Sequence, residues 1–240
     1  MPKPTLTPVA DGPRLNHLLA ALPAEEMARL KPHLEEIEMP TRMALYDADR
    51  PIENVYFVHH GVASMMAPMQ NGLAVEIATV GPEGIVGIPI LLGADRIAHR
   101  AFIQVPGQGV RMEAAVFRRL TQRHPHFAQL LMRYALGLLN QIGQNAACNR
   151  AHSIEERCAR WLLMTHDRVQ ARSFQLTQEF LAQMLGVRRP SVSIAAGMLA
   201  KAGFITYVRG EITVLDRHGM EAAACECYRI ITDEFTRLVG

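Results

Sequence analysis

The stretch Ser173–Thr206, SFQLTQEFLAQMLGVRRPSVSIAAGMLAKAGFIT, constrains the fold most, because its punctuation admits two short helices joined by a tight turn. Thr177 can cap the first helix, its hydroxyl accepting an otherwise orphaned backbone N–H. Glu179 follows in the first turn, where the helix dipole favours negative charge. Phe180, Leu181, Met184 and Leu185 recur at helical spacing and give an apolar face. Gly186 ends that helix at little steric cost. The second helix opens with Arg189-Pro190; proline is tolerated there because first-turn N–H groups have no helical partner. Val192, Ala195, Ala196 and Leu199 form its apolar back, and Arg189, Pro190, Ser193, Ile194 and Gly197 a short-residue front led by cations. Such a helix suits a major groove; the same spacing also fits an ordinary helical hairpin.

The residues after this pair favour the groove. Gly203-Phe204-Ile205 leads into Thr206-Tyr207-Val208, then Arg209-Gly210, then Glu211–Leu215, two β-rich runs around a glycine turn. Helix, turn, helix and hairpin make a winged helix, with Arg209 at the wing tip, where it can meet a phosphate. The spacing predicts Arg189 on a guanine, Arg188, Ser191 and Arg209 on phosphates, and Pro190, Ser193 and Ile194 along the same DNA-facing surface.

The formal charge of +2 is small, so any cationic face must be local. No apolar run approaches the length that spans a bilayer, and Met1–Asp11 lacks the apolar centre of a signal peptide, so no membrane partner and a cytoplasmic protein are expected. The cysteines Cys148, Cys158, Cys225 and Cys227 form no CxxC pairs, which indicates neither a zinc site nor a disulfide framework. Cys225 and Cys227 lie in a helical-looking tail, where residues two apart point to different faces. No metal or cofactor is expected. Glu76, Glu83 and His99 are scattered and no Gly-rich phosphate loop of the nucleotide-hydrolase type occurs, so the pattern is not that of an enzyme.

With 240 residues the chain has room for two modest domains. Met1–Pro13 reads as disordered, and Arg14–Ala21 and Ala24–Leu34 as short helices. Short β-rich runs come next: Val55–Val58 before Gly61, Val62–Met69 and Leu73–Val80 around an Asn71-Gly72 hairpin turn, then Phe102–Val105 and Val110–Met112. His59-His60 reads as a solvated turn. Many short strands imply an antiparallel roll or barrel. A helix over Ala114–Arg123 and one long helix over Phe127–Arg150 succeed the strands. Leu131, Ala135, Leu138, Ile142, Asn145 and Asn149 step by threes and fours along it as a coiled-coil seam, with Asn145 setting register. Gly137 and Gly143 allow a partner backbone to approach, while Leu130, Tyr134 and Leu138 can also pack on the roll. The expected fold is α+β: an N-terminal antiparallel roll (residues 1–113), a connecting and dimerisation region (114–152) and a C-terminal winged helix-turn-helix (153–240).

That order of parts resembles the Crp/Fnr family of bacterial transcription regulators over nearly the whole chain, from about Leu15 on. The resemblance rests most on Leu176-Thr177-Gln178-Glu179, Leu185-Gly186-Val187-Arg188-Arg189, Val192, Leu199 and Gly203-Phe204-Ile205, and more loosely on Leu45-Tyr46, Val55–Val58, Gly61, Gly81-Pro82-Glu83-Gly84 and Gly87. It implies a homodimer that reads a near-palindromic site in double-stranded DNA and contacts RNA polymerase. Arg189 matches the family's guanine-reading arginine, but Pro190 stands where glutamate is usual and Ile194 at the later base-facing position. The N-terminal cysteines of the iron–sulfur branch are absent, since no cysteine precedes Cys148. The family's cyclic-AMP turn, Gly-Glu-Leu, is matched by Gly87-Ile88-Pro89, and its arginine by His99 or, one residue late, Arg100, followed by Ala101. Cyclic AMP is therefore not the expected effector, and which effector acts, if any, stays open. A ligand-binding module acting through protein partners is the alternative.

Overall fold

The computed structural model describes residues 16–70, 74–169 and 171–239. Helices α1 (His17–Ala20) and α2 (Ala24–Leu30) and a 3-10 turn at Lys31–His33 lead into β1 (Glu35–Met39) and β2 (Ala44–Tyr46). Asn16, fully buried, pins this entry: its Oδ1 accepts from the N–H groups of Leu18 and Leu19, and its Nδ2 reaches the carbonyls of Val58, Pro82 and Gly84. The roll is completed by β3 (Asn54–Pro68), β4 (Ala74–Val80), β5 (Ile85–Val86), α3 (Ile88–Leu91) and β6 (Arg100–Glu113). Its strands run β1-β6-β3-β4, with β2 on β6 and β5 on β3, all paired antiparallel.

The expected run of short strands is carried instead by two long ones, β3 of 15 residues and β6 of 14, bent where their register shifts between Val58 and Ala63. Gly61 sits at this bend with φ 96°, and a Cβ there would lie 2.8 Å from the Val105 carbonyl oxygen. His59-His60 is accordingly no solvated turn. Both residues lie in β3, half-buried; His59 Nδ1 accepts the Asn16 N–H at 3.1 Å, and burial lowers its pKa. The Met1–Pro13 and Asn71-Gly72 expectations lie outside the described residues; β3 and β4 pair antiparallel from Ala63–Val80 to Pro68–Ala74.

After the roll come α4 (Ala114–Arg123), the long α5 (Pro125–Ala151) and α6 (Ile154–Val169). The rest is β7 (Ser173–Gln175), α7 (Gln178–Leu185), α8 (Arg189–Lys201), β8 (Ile205–Val208), β9 (Glu211–Val214), α9 (Arg217–Ala223) and α10 (Cys227–Val239). The wing is a three-stranded sheet, β7-β9-β8, because Ser173–Gln175 pairs with Glu211–Thr213. The Tyr134 and Phe235 rings bring α10 onto α5, 6.0 Å apart. A Cβ on Gly137 would lie 2.9 Å from Phe235, so this glycine admits the chain's own last helix; Gly143 faces open space. The core joins roll and helices through Phe57, Phe117 and Phe127, whose ring centroids lie 5.7–6.5 Å apart. Among the described residues no helix is long and apolar enough to cross a membrane.

Candidate nucleic-acid interface and the junction behind it

The helix pair forms as its local chemistry dictates. Thr177 Oγ1 accepts the Phe180 N–H at 3.2 Å, and Gly186 stops α7 in the left-handed region at φ 64°. Leu181, Met184 and Leu185 of α7 pack against Val192, Ala195 and Leu199 of α8, all buried. This leaves Arg188, Arg189, Pro190, Ser193, Ile194, Gly197 and Met198 exposed on one face; Ser191 is half-buried. Two cations thus gather at the start of α8, where the helix dipole attracts an anion, while Pro190 has no N–H and the Ser191 N–H is held by the Arg188 carbonyl at 3.0 Å. Ser193 is less free than its exposure suggests, because its hydroxyl donates to Gln178 Oε1 at 2.7 Å. At the wing, Arg209 (φ 51°) and Gly210 (φ 80°) are both left-handed and link the paired residues Val208 and Glu211. That is the two-residue turn whose twist suits a hairpin, and it holds Arg209 outward. Tyr207 fastens the wing to the helix pair by donating to the Leu176 carbonyl at 2.7 Å.

The residues expected as a seam on α5 are largely taken up within the chain. Leu131 and Leu138 are buried in their own chain, Ala135 and Ile142 are half-buried, and Asn145 spans β4 and α6. Its Nδ2 donates to the Ile77 carbonyl at 2.9 Å, and its Oδ1 accepts from Arg160 Nη1 at 2.8 Å. Sequence periodicity cannot tell two apolar stripes apart when α10 and the roll claim the inner one. The exposed stripe is Met132, Leu136 and Leu139, continued by Gly143 and Ala146, again in alternating steps of four and three.

In the roll, Gly87 (φ 117°) caps α3 and lies against Val55, while Ile88 and Pro89 are buried. Ala101 and Ile103 of β6 point inward, so Arg100 and Phe102 occupy the other face. The Arg100 guanidinium lies over the Phe102 ring, 5.4 Å from its centroid, and that ring meets Phe180 of α7 edge-on. His99 is half-buried, with its Nδ1 unpartnered.

Between β4 and α6 lies a buried polar seam whose members are scattered along the sequence. Arg168 donates through Nε and Nη2 to Glu83 Oε1 at 2.9 and 2.7 Å, and through Nη1 to Thr79 Oγ1 at 2.6 Å. Burial alone would raise Glu83, but the Arg168 charge and hydrogen bonds hold it below the usual carboxylate range. Gly81 makes room for this, since a Cβ there would lie 2.5 Å from the Arg168 stem. Glu76 accepts from Trp161 Nε1 at 2.7 Å and lies 2.5 Å from Ser64 Oγ. Ser64 Oγ is also 2.5 Å from Gln104 Oε1, and one hydroxyl proton cannot serve both acceptors. Turning the Gln104 amide satisfies the chain, since its otherwise unpartnered Nε2 then donates to Ser64 Oγ and the hydroxyl donates to Glu76; burial separately pushes the Glu76 pKa up to about 7.

The cysteines also depart from expectation. Cys148, Cys225 and Cys227, with His152, bring their ligating atoms within 4.8 Å of one another. Cys225 lies in the linker before α10 rather than inside a helix, so the rule separating helical residues two apart does not apply. A hydrogen bond from Cys225 pulls the Cys148 thiol down to about 5 and pushes Cys225 up. The signal that could have found the cluster is Cys148 and His152, one helical turn apart at the end of α5.

A bent antiparallel roll, a long helix and a winged helix-turn-helix with an arginine-led outer face make up an architecture similar to that of Crp/Fnr-type transcription regulators. The match is direct in the last part: residues 156–223 fit the family model of the Crp-like helix-turn-helix domain. The HTH-type transcriptional regulator Cmr of Mycobacterium tuberculosis is 25% identical over 215 residues, covering 85% of this chain and 82% of Cmr. The fold is shared with FixK2 of Bradyrhizobium japonicum, at a TM-score of 0.68 and 18% identity over 80% of this chain and 98% of that one. A Crp/Fnr-family regulator from Eubacterium rectale superposes with a TM-score of 0.66 and 13% identity, over 86% of this chain and 96% of its own.

Proposed function

We propose that the chain acts as a homodimer on a near-palindromic operator in the bacterial cytoplasm and regulates transcription by contact with RNA polymerase. The observation that carries this reading is the front of α8, whose residues face solvent while its back is packed. Arg189 reads a guanine bidentately, Arg188, Ser191 and Arg209 hold phosphates, and Pro190 and Ile194, which offer no side-chain hydrogen bond, sit against thymine methyls. The second copy packs on Met132, Leu136 and Leu139, with Gly143 allowing close approach where no atom of its own chain intrudes. Cyclic AMP does not control the protein in the family manner: Ile88 replaces the carboxylate, Pro89 lacks an N–H, and Arg100 is on the outer face of β6.

Fluorescence anisotropy on duplex DNA across a salt series, with sedimentation of the complex, tests this. We expect two chains per duplex, affinity falling steeply with salt, and a Leu139→Asp variant that sediments as a monomer. Salt-insensitive or absent duplex binding would instead favour α8 as a protein-docking surface. Calorimetry with cyclic AMP is the check on the effector: low-micromolar binding weakened by Arg100→Ala would overturn that part.

A further inference from the structure

We propose that Cys148, His152, Cys225 and Cys227 form a structural zinc site that clamps the start of α10 to the end of α5. The geometry points to a single ion. The ligand atoms lie within 4.8 Å of one another, with Cys148 Sγ 3.5 Å from Cys225 Sγ and Cys227 Sγ 3.6 Å from His152 Nδ1. Two sulfurs about 2.3 Å from one tetrahedral zinc sit about 3.8 Å apart, so a small adjustment of the cluster suffices. A polynuclear iron–sulfur centre holds its ligands farther apart than this. Three thiolates and one imidazole are a ligand set used by closed structural zinc sites.

The surroundings fit a metal rather than a chance meeting of thiols. Cys148 and Cys227 are fully buried, Cys225 nearly so, and the three form an apolar cluster of their own apart from the main core. His152 turns Nδ1 to the sulfurs while its Nε2 lies 3.1 Å from the Glu226 carboxylate. This is the outer partner that fixes the tautomer and orientation of a metal-bound histidine. Gln144 Nε2 donates to Cys227 Sγ at 3.0 Å, a bond that favours a thiolate. Zinc binding expels the thiol protons to solvent, leaving three thiolates and Zn²⁺ with one net negative charge. Arg157 and Arg160 are buried close enough for their charges to act on Cys148, and each has a buried Nε without a partner.

The site also has a place in the fold. His152 is the residue at which α5 ends, just before α6 enters the DNA-binding module. Cys148 stands one turn earlier on α5, and Cys225 and Cys227 stand at the opposite end of that module, after α9. One ion therefore ties the break between the long helix and the module to the chain's last helix. This inference does not depend on the DNA-binding proposal.

The test is metal analysis of the full chain purified under reducing conditions, followed by Co²⁺ titration of chelator-treated protein. One zinc per chain is expected, and one Co²⁺ with the visible bands of a tetrahedral site and thiolate charge transfer. Glu226→Gln, which touches no metal, should weaken binding about 10–100-fold. Cys158→Ser, in the main core, should leave it unchanged. A reduced, folded wild-type chain that takes up neither ion stoichiometrically would overturn the proposal. So would Co²⁺ affinity that is unchanged in a Cys225→Ser, Cys227→Ser double variant.

Discussion

Arg189, Pro190 and Ile194 on α8 are exposed, whereas Glu76, Arg160 and Arg168 at the junction of roll and α6 are buried and Glu83 beside them is half-buried. On the first surface the Arg188 and Arg189 side chains stay exposed to solvent. The second uses its hydrogen-bonding capacity inside, joining the roll to the helix-turn-helix module through Thr79, Glu76 and Asn145. The contrast separates two tasks: substitutions on α8 should change what the protein binds and leave its stability alone, and substitutions at the junction should do the reverse.

Arg168→Met is expected to cost the most stability. It leaves the Glu83 carboxylate, whose side chain is 16% exposed, without its cation; breaking a fully buried pair costs about 3–5 kcal/mol, and partial solvation brings the expected loss to about 1–3 kcal/mol, read as a lowered urea midpoint. A loss well under about 1 kcal/mol would mean that the junction does not hold the two parts together.

Glu76→Gln sharpens the same side of the comparison. Burial raises the folded pKa of Glu76 to about 7 from an ordinary value of 4.5, so the folded state holds the proton more tightly than the unfolded state. Stability from this group is present below the unfolded pKa and is lost as pH rises through about 7. The full difference is on the order of 2–4 kcal/mol, at about 1.4 kcal/mol per pKa unit. Urea unfolding from about pH 5 to 8 should show this decline in wild type and a flatter profile in the variant. Equal slopes would contradict a proton held at Glu76.

On the α8 side, Arg189→Ala should lose about 1–3 kcal/mol of discrimination at one symmetric base pair with an unchanged urea midpoint. Arg209→Ala is expected to do least. Binding should weaken similarly on all duplexes, and the salt slope should fall by about one for each phosphate no longer held. If it altered sequence preference, the wing would be reading bases.

The α8 surface was legible because its information is local: a cap at Thr177, a stop at Gly186, a proline in the first turn and a back of Val192, Ala195 and Leu199. The junction was not, because Glu83 and Arg168 are 85 residues apart and only the folded roll makes them partners. The same limit explains why the stripe expected on α5 is covered within the chain. Leu131 and Met132 both fit an apolar seam, and the choice was made by α10 and the roll packing over one of them. Cys148 and His152 were one turn apart in plain view, but Cys225 and Cys227 reach them only because α10 folds back along α5.

The most direct test of a symmetric, base-reading α8 is selection of bound duplexes from a random pool, run in parallel with wild type and Arg189→Ala. We predict an enriched two-fold symmetric site, half-sites about 10–10.5 base pairs apart or a multiple of that, and loss of one symmetric guanine preference in the variant. An enriched site without symmetry, or the same preferences in both proteins, would contradict it.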